Sequence, residues 1–155
     1  MKYFSYGSNM ASARMAERVG RPVSFRRATL YGYRRAFNKP MWEDPAHGYA
    51  NIVPAMGEKI SGVLFDCTAE DLKELDVHEG VADNHYARRE VTVDCDGHYE
   101  RAIVYVACVP VDAPSLRSTP EYVRMILDGA IEHQFSGDEV EAIVAAAGLS
   151  GQVTT

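Results

Sequence analysis

Apolar positions along this chain recur with two periods, and the places where the period changes divide it into elements. The aromatic run Tyr3-Phe4-Ser5-Tyr6 stops at Gly7, and a pattern of helical period begins near Met10. This predicts a strand, a tight joint at Tyr6-Gly7-Ser8-Asn9, and a helix from Met10 to Val19 closed by Gly20 and Pro22. From Val23 to Asn38 the chain is rich in β-formers, which predicts one long bent strand or two strands with Gly32 at a bulge. Lys39 to Gly48 carries Pro40, Pro45 and Gly48 and reads as a loop. Trp42 within it either covers a pocket or takes the commoner role of packing on the core. Tyr49–Pro54 and Ile60–Cys67, separated by Met56-Gly57-Glu58, predict a hairpin.

Thr68 with Asp71 has the spacing of a capping box, followed by Leu72 and Leu75 on one helical face and a stop at Glu79-Gly80. Tyr86–Asp94 alternates with period two, Asp96-Gly97 is a tight-turn pair, and Tyr99–Val109 returns as the partner strand. After a loop bearing Pro110 and Pro114, Thr119-Pro120 opens a helix through Tyr122, Ile126, Ala130 and Ile131 to about Gln134. Ser136 with Glu139 caps a last helix whose stripe is Val140, Ile143, Val144 and Ala147, closed by Gly148. The tail from Ser150 to Thr155 is small and polar and reads as frayed. About six or seven strands come in runs joined by tight turns. That pattern predicts an α+β fold with a mixed or antiparallel sheet, open to closure into a barrel.

Composition narrows the function. A chain of 155 residues has the usual size of one domain, here 1–155, and 46% hydrophobic residues are enough for a core. A formal net charge of −6 without any basic run argues against nucleic acid as a partner. No apolar run approaches a bilayer span, and the start lacks a signal-peptide core, so no membrane partner and a cytoplasmic location are expected. Cys67, Cys95 and Cys108 lack CxxC spacing and are expected as free thiols. No heptads mark an oligomer, and monomer and homodimer stay open.

The strand-to-helix joint is the first chemical candidate. Gly7 is the residue type that suits the backbone of such a turn and lets another group approach. Ser8 or Asn9 is placed to cap the following helix. The free N–H groups of a first helical turn suit a carboxylate, a phosphate or an oxyanion. An ordinary capped joint has the same sequence, so this stretch alone does not decide.

Other chemistries lack partners. Gly7-Ser8 is without the flanking pattern of a nucleophile elbow, and no His/Asp pair is marked as its base. The cysteines lie in or beside β-rich runs and read as core. The histidines are not spaced as a ligand set, so no metal is expected. What remains is Glu79, at a helix end beside Gly80. A carboxyl tucked into such a joint has its pKa raised and shuttles protons near neutrality, whereas a solvated one does nothing of the kind.

Three stretches combine these signals. Phe4-Ser5-Tyr6-Gly7-Ser8-Asn9-Met10, Gly62-Val63-Leu64 and Leu75-Asp76-x-x-Glu79-Gly80-Val81 closely resemble the γ-glutamylcyclotransferase (AIG2-like) family. Gly48-Tyr49-Ala50-Asn51-Ile52, Tyr86, Tyr105 and Pro120-Glu121-Tyr122 extend the resemblance over essentially the whole chain. It implies a small mixed β-barrel with short flanking helices and a cofactor-free reaction. In that reaction the α-amine of a γ-glutamyl group attacks its own γ-carbonyl, releasing 5-oxoproline and an amine or amino acid. By the same resemblance Glu79 is the general acid/base, and the Tyr6-Gly7-Ser8-Asn9 turn binds the glutamyl group and the oxyanion. Tyr6, Tyr86, Tyr105 and Tyr122 are the wall and hydrogen-bond partners of the glutamyl group. Relatives act on γ-glutamyl amino acids, γ-glutamyl amines or a γ-glutamyl cap on an antibiotic precursor, and glutathione ranks low. Val77 and His78 stand where the family varies; His78 either tunes the acid or faces solvent. A non-catalytic small-molecule-binding domain on the same scaffold is the alternative, which has no need of Glu79.

Overall fold

A computed structural model of the chain describes residues 1–111 and 116–151. Pro114 and the last four residues, 152–155, lie outside that range. Five strands close into a barrel: β1 (Lys2–Ser5), β2 (Phe25–Pro40), β3 (Gly48–Asp66), β4 (Tyr86–Cys95) and β5 (His98–Ala107). Their order around it is β1-β3-β2-β4-β5. All neighbours are antiparallel except β1 and β5, which run parallel with Tyr3 opposite Ile103. The sheet is therefore mixed, and closure leaves no long open edge. Four helices flank it: α1 (Ser12–Val19), α2 (Ala69–His78), α3 (Pro120–Glu132) and α4 (Gly137–Ala146). Among the described residues no helix is long and apolar enough to cross a membrane.

The strand count of six or seven is corrected to five, because two pairs of expected strands are each continuous. β2 passes through Gly32 (φ 84°), where the register against β3 shifts, so a single strand with a bulge is the form adopted. The expected hairpin at Met56-Gly57-Glu58 does not form. Both of its arms pair with β2 instead: Pro54 lies opposite Tyr33 and Lys59 opposite Tyr31. The turn-like residues make an excursion within β3 and face Gly32. β2 is long enough to receive both arms, and a bulge in each strand adds the twist that a small barrel needs.

Local signals hold elsewhere. Thr68 and Asp71 form a full capping box on α2, as do Ser136 and Glu139 on α4, and Thr119 caps α3 with Pro120 in its first turn. Asp96-Gly97 joins β4 to β5 as a two-residue turn with both residues at positive φ. Leu72 and Leu75 of α2 are fully buried, each worth about 1.5–3 kcal/mol of transfer free energy. Ile126 and Ala130 of α3 are buried, and Ile131 beside them is exposed.

The N-terminal joint differs from expectation in one way. Ser8–Met10 is a single 3-10 turn, and α1 starts after it at Ser12. Neither Ser8 nor Asn9 caps a helix. The carboxylate of Glu132, from α3, accepts from both the backbone N–H and the hydroxyl of Ser12. A long-range acid thus takes the role that local side chains were expected to fill.

Candidate active site

The joint after β1 is held from three directions. Arg35 of β2 is buried, and its Nε donates to the Tyr6 carbonyl (2.9 Å) while Nη2 donates to the Ser61 carbonyl (2.5 Å). Burial lowers its pKa to about 10, and no carboxylate pairs with it among the described residues. From α3, the ring of His133 hydrogen-bonds to the Met10 carbonyl (2.8 Å). At Gly129 a Cβ would lie 2.6 Å from Ala11 N and 2.8 Å from the Met10 Cβ, so only glycine lets α3 approach this closely. The Met10 N–H donates to the Gly7 carbonyl (3.1 Å), leaving the N–H groups of Ser8 and Asn9 ahead of the first turn bond.

Glu79 is placed by the end of α2. Its N–H donates to the Leu75 carbonyl (2.8 Å), and Gly80 follows at φ 65°. The Gly80 carbonyl accepts from Asp83 (3.0 Å) and His85 (3.1 Å), and a Cβ on Gly80 would come within 2.9 Å of the His85 Cβ. Both the backbone angle and the close approach demand glycine there, and together they fix the direction of the preceding carboxyl.

All eight residues singled out in the sequence, Tyr6, Gly7, Ser8, Asn9, Glu79, Tyr86, Tyr105 and Tyr122, line one cavity of about 700 Å³. The Glu79 carboxyl makes no hydrogen bond or ion pair with the described residues. Burial raises its pKa to about 7; Arg18 and Arg14 oppose the rise and Asp76 adds to it. Asp76 itself stays ionised. Burial alone would raise its pKa, but a two-point contact from Arg88 (2.8 and 2.7 Å) and the Tyr105 hydroxyl (2.7 Å) together outweigh that. The two acids of the Asp-x-x-Glu-Gly stretch therefore have separate tasks. Asp76 ties α2 to β4 and β5, and Glu79 stays free. His78 is not among the groups that shift Glu79; its own pKa is lowered by burial and then by Arg18.

The tyrosines also divide. Burial raises the pKa of Tyr6, Tyr86, Tyr105 and Tyr122, so all stay protonated donors. Tyr6 donates to the Tyr105 carbonyl (2.6 Å), Tyr86 to the Ala50 carbonyl (2.6 Å) and Tyr105 to Asp76. Tyr122 instead accepts from the Ala50 N–H (3.1 Å), and among the described residues nothing takes its own proton. It is the tyrosine hydroxyl of the four with a proton left for a ligand. At Gly7 the backbone has negative φ (−125°), and a Cβ would stand 3.8 Å from the Ala50 Cβ and 3.9 Å from the Tyr122 hydroxyl, both ordinary contacts. Neither strain nor protein packing requires glycine there; the space a side chain would take lies beside Tyr122 in the cavity.

Competing chemistries find no support. The Ser8 hydroxyl accepts from Arg14 Nε (3.1 Å), and a guanidinium is no base. The Cys67 thiol is pushed up to about 12 by burial, far from a reactive thiolate. Among the described residues no group of three His, Cys, Asp or Glu stands ready for a metal. The sequence reading missed Arg14 and Arg18, which line the cavity; of the two roles open to Trp42, packing on the core is not adopted, since the ring is 67% exposed and lines the cavity. Trp42 packs on His85 (ring centroids 4.8 Å) at the cavity rim.

A closed barrel whose cavity holds one buried, unpaired carboxyl beside a turn of free N–H groups has the shape and the polar groups to take a small ligand. Residues 3–124 match the family model described as "Gamma-glutamyl cyclotransferase, AIG2-like". The chain is 30% identical over 134 residues to the γ-glutamylcyclotransferase of Bos taurus, covering 84% of this chain and 70% of that one. It is 28% identical to the Homo sapiens γ-glutamylcyclotransferase with the same coverage. A solved structure of a γ-glutamyl cyclotransferase superposes with a TM-score of 0.82 at 26% identity, covering 93% of this chain and 86% of the other. The chain belongs to the γ-glutamyl cyclotransferase, AIG2-like family.

Proposed function

We propose that this chain converts a γ-glutamyl amide into 5-oxoproline and the free amine, with Glu79 as the one proton shuttle. The α-amine nitrogen attacks the γ-carbonyl carbon while the Glu79 carboxylate takes a proton from it. The tetrahedral centre collapses as the bond to the leaving nitrogen breaks, and Glu79 returns the proton to that nitrogen. No water is consumed and no cofactor is needed. The observation that carries this reading is the state of Glu79: desolvated, unpaired, and with a pKa near 7, the value at which one group serves as base and then as acid. Such help is worth roughly 10²–10⁴-fold.

The developing oxyanion needs donors in place before reaction. The N–H groups of Ser8 and Asn9 and the uncommitted hydroxyl of Tyr122 supply them, each such donor being worth about 10²–10³-fold. Tyr6, Tyr86 and Tyr105 shape the wall with hydroxyls already engaged, so their contribution is to fold the glutamyl chain toward a ring. The test is a panel of γ-glutamyl-alanine, a γ-glutamyl alkylamine, γ-glutamyl-ε-lysine and glutathione, with mass-spectrometric detection of 5-oxoproline. Formation from at least one member, lost in Glu79→Gln, is expected. Binding without turnover across the panel would favour a non-catalytic domain, and turnover that survives the substitution would remove Glu79 from the mechanism.

A further inference from the structure

Arg14 and Arg18 stand one helical turn apart on α1, and both line the cavity. Residues so spaced have Cβ atoms about 5–6 Å apart, and like charges there repel. Each is only half-buried, and neither forms an ion pair among the described residues; Glu17 favours the Arg14 charge without touching it. Several other arginines are matched by a carboxylate, Arg21 with Asp71, Arg26 with Glu100, Arg27 with Glu139 and Arg88 with Asp76, and the buried Arg35 spends its guanidinium on backbone carbonyls. Two unmatched guanidiniums facing one cavity, in a protein of net charge −6, are a site for an anion.

We propose that Arg14 and Arg18 are the clamp for the α-carboxylate of the glutamyl group. The assignment rests on the cyclotransferase reading of the cavity and extends it to residues outside the turn and the acid. Position selects this carboxylate. It sits on the same carbon as the attacking amine, and that amine must reach Glu79, to which both arginines are electrostatically coupled. Arg14 is also fastened to the turn through the Ser8 hydroxyl (3.1 Å), so one guanidinium is already aimed along the edge of the oxyanion site. Every γ-glutamyl substrate carries this carboxylate whatever its leaving group, so the clamp sets the acyl half of the specificity and leaves the amine half to the rim. Guanidinium–carboxylate contact also brings two positive charges beside the α-ammonium, which favours its loss of a proton before attack.

The test compares binding of two products that differ by one group, 5-oxoproline and pyrrolidin-2-one, by calorimetry on wild type, Arg14→Gln, Arg18→Gln and the double variant. Arg14→Lys and Arg18→Lys serve as charge-retaining controls. Both side chains are half-exposed and without ion pairs, so the variants are expected to fold, which thermal unfolding checks. Loss of charge-assisted contacts is expected to weaken 5-oxoproline about 10- to 100-fold in the double variant while pyrrolidin-2-one is unaffected, with partial recovery in the lysine forms. Equal 5-oxoproline affinity in wild type and the double variant would overturn the assignment, as would parallel weakening of both ligands. In turnover, γ-glutamyl-alanine and γ-glutamyl-ethylamine are expected to lose the same factor. A loss confined to γ-glutamyl-alanine places the arginines on the leaving group's carboxylate and also overturns it. Arginine-dependent 5-oxoproline binding in a protein that turns over no substrate would refute the proposed reaction and leave the clamp standing.

Discussion

Glu79→Gln is expected to stabilise the protein, by an amount that depends on pH. The Glu79 pKa is raised from 4.5 to about 7 in the folded chain, chiefly by burial. Between those values the folded state binds more protons than the unfolded state, so stability falls as pH rises. The favourable contribution of the protonated carboxyl is fully present below about 4.5 and is gone above about 7. At about 1.4 kcal/mol per pKa unit, the ionised carboxyl costs roughly 3 kcal/mol at pH 8. Glutamine has the same shape and no charge to desolvate. For a chain of this size, about 2–4 °C accompanies each kcal/mol, which gives a rise in Tm of ~6–12 °C at pH 8 and little change at pH 4.5. Thermal unfolding of both proteins across that range, followed by circular dichroism, measures the difference directly. A constant difference at all pH values, or a less stable variant at pH 8, would refute the claim that the site holds this carboxyl out of water. The same substitution removes the proton shuttle, so gain in stability and loss of turnover are expected in one protein.

Three other substitutions separate scaffold from chemistry. Gly7→Ala meets only ordinary contacts at 3.8 and 3.9 Å, so Tm should hold while KM for a γ-glutamyl substrate rises as the methyl group enters the cavity; steady-state kinetics beside a melt decide it. Gly129→Ala gains about 1 kcal/mol of helix propensity but drives a Cβ to within 2.6 Å of the Ala11 backbone, so a net loss of about 1–3 kcal/mol is expected in denaturant unfolding. Tyr122→Phe and Tyr86→Phe each remove one hydrogen bond to Ala50, worth about 1 kcal/mol, yet only the first removes a free donor. Their melting temperatures should fall alike while kcat falls about 10- to 100-fold further in Tyr122→Phe; equal kcat values would deny Tyr122 its place at the oxyanion.

What could be read from the sequence was what neighbouring residues determine. Thr68 with Asp71, Ser136 with Glu139, Asp96-Gly97 and Glu79-Gly80 each specify a turn or cap within four residues, and each formed as expected. Features set by distant partners were not legible. The arms around Met56-Gly57-Glu58 look like a hairpin until β2 offers both of them a longer partner. Glu132 caps α1 from the far side of the chain, so no local pattern announces it. Arg35 lies in a stretch, Arg35 to Asn38, that is buried at every position, so no alternation along β2 marks it out. Arg14 and Arg18 share the helical face that follows the turn, but only the position of α2 shows that this face looks onto a cavity.

Water labelled with ¹⁸O gives the most direct test of cyclisation by the substrate's own amine. γ-Glutamyl-alanine is incubated with the enzyme in H₂¹⁸O, and the products are weighed by mass spectrometry. Attack by the α-amine through Glu79 predicts 5-oxoproline without ¹⁸O, released in equal amount with alanine and absent with Glu79→Gln. Glutamate carrying ¹⁸O as the first product would contradict it, because the nucleophile would then be water or an acylated side chain.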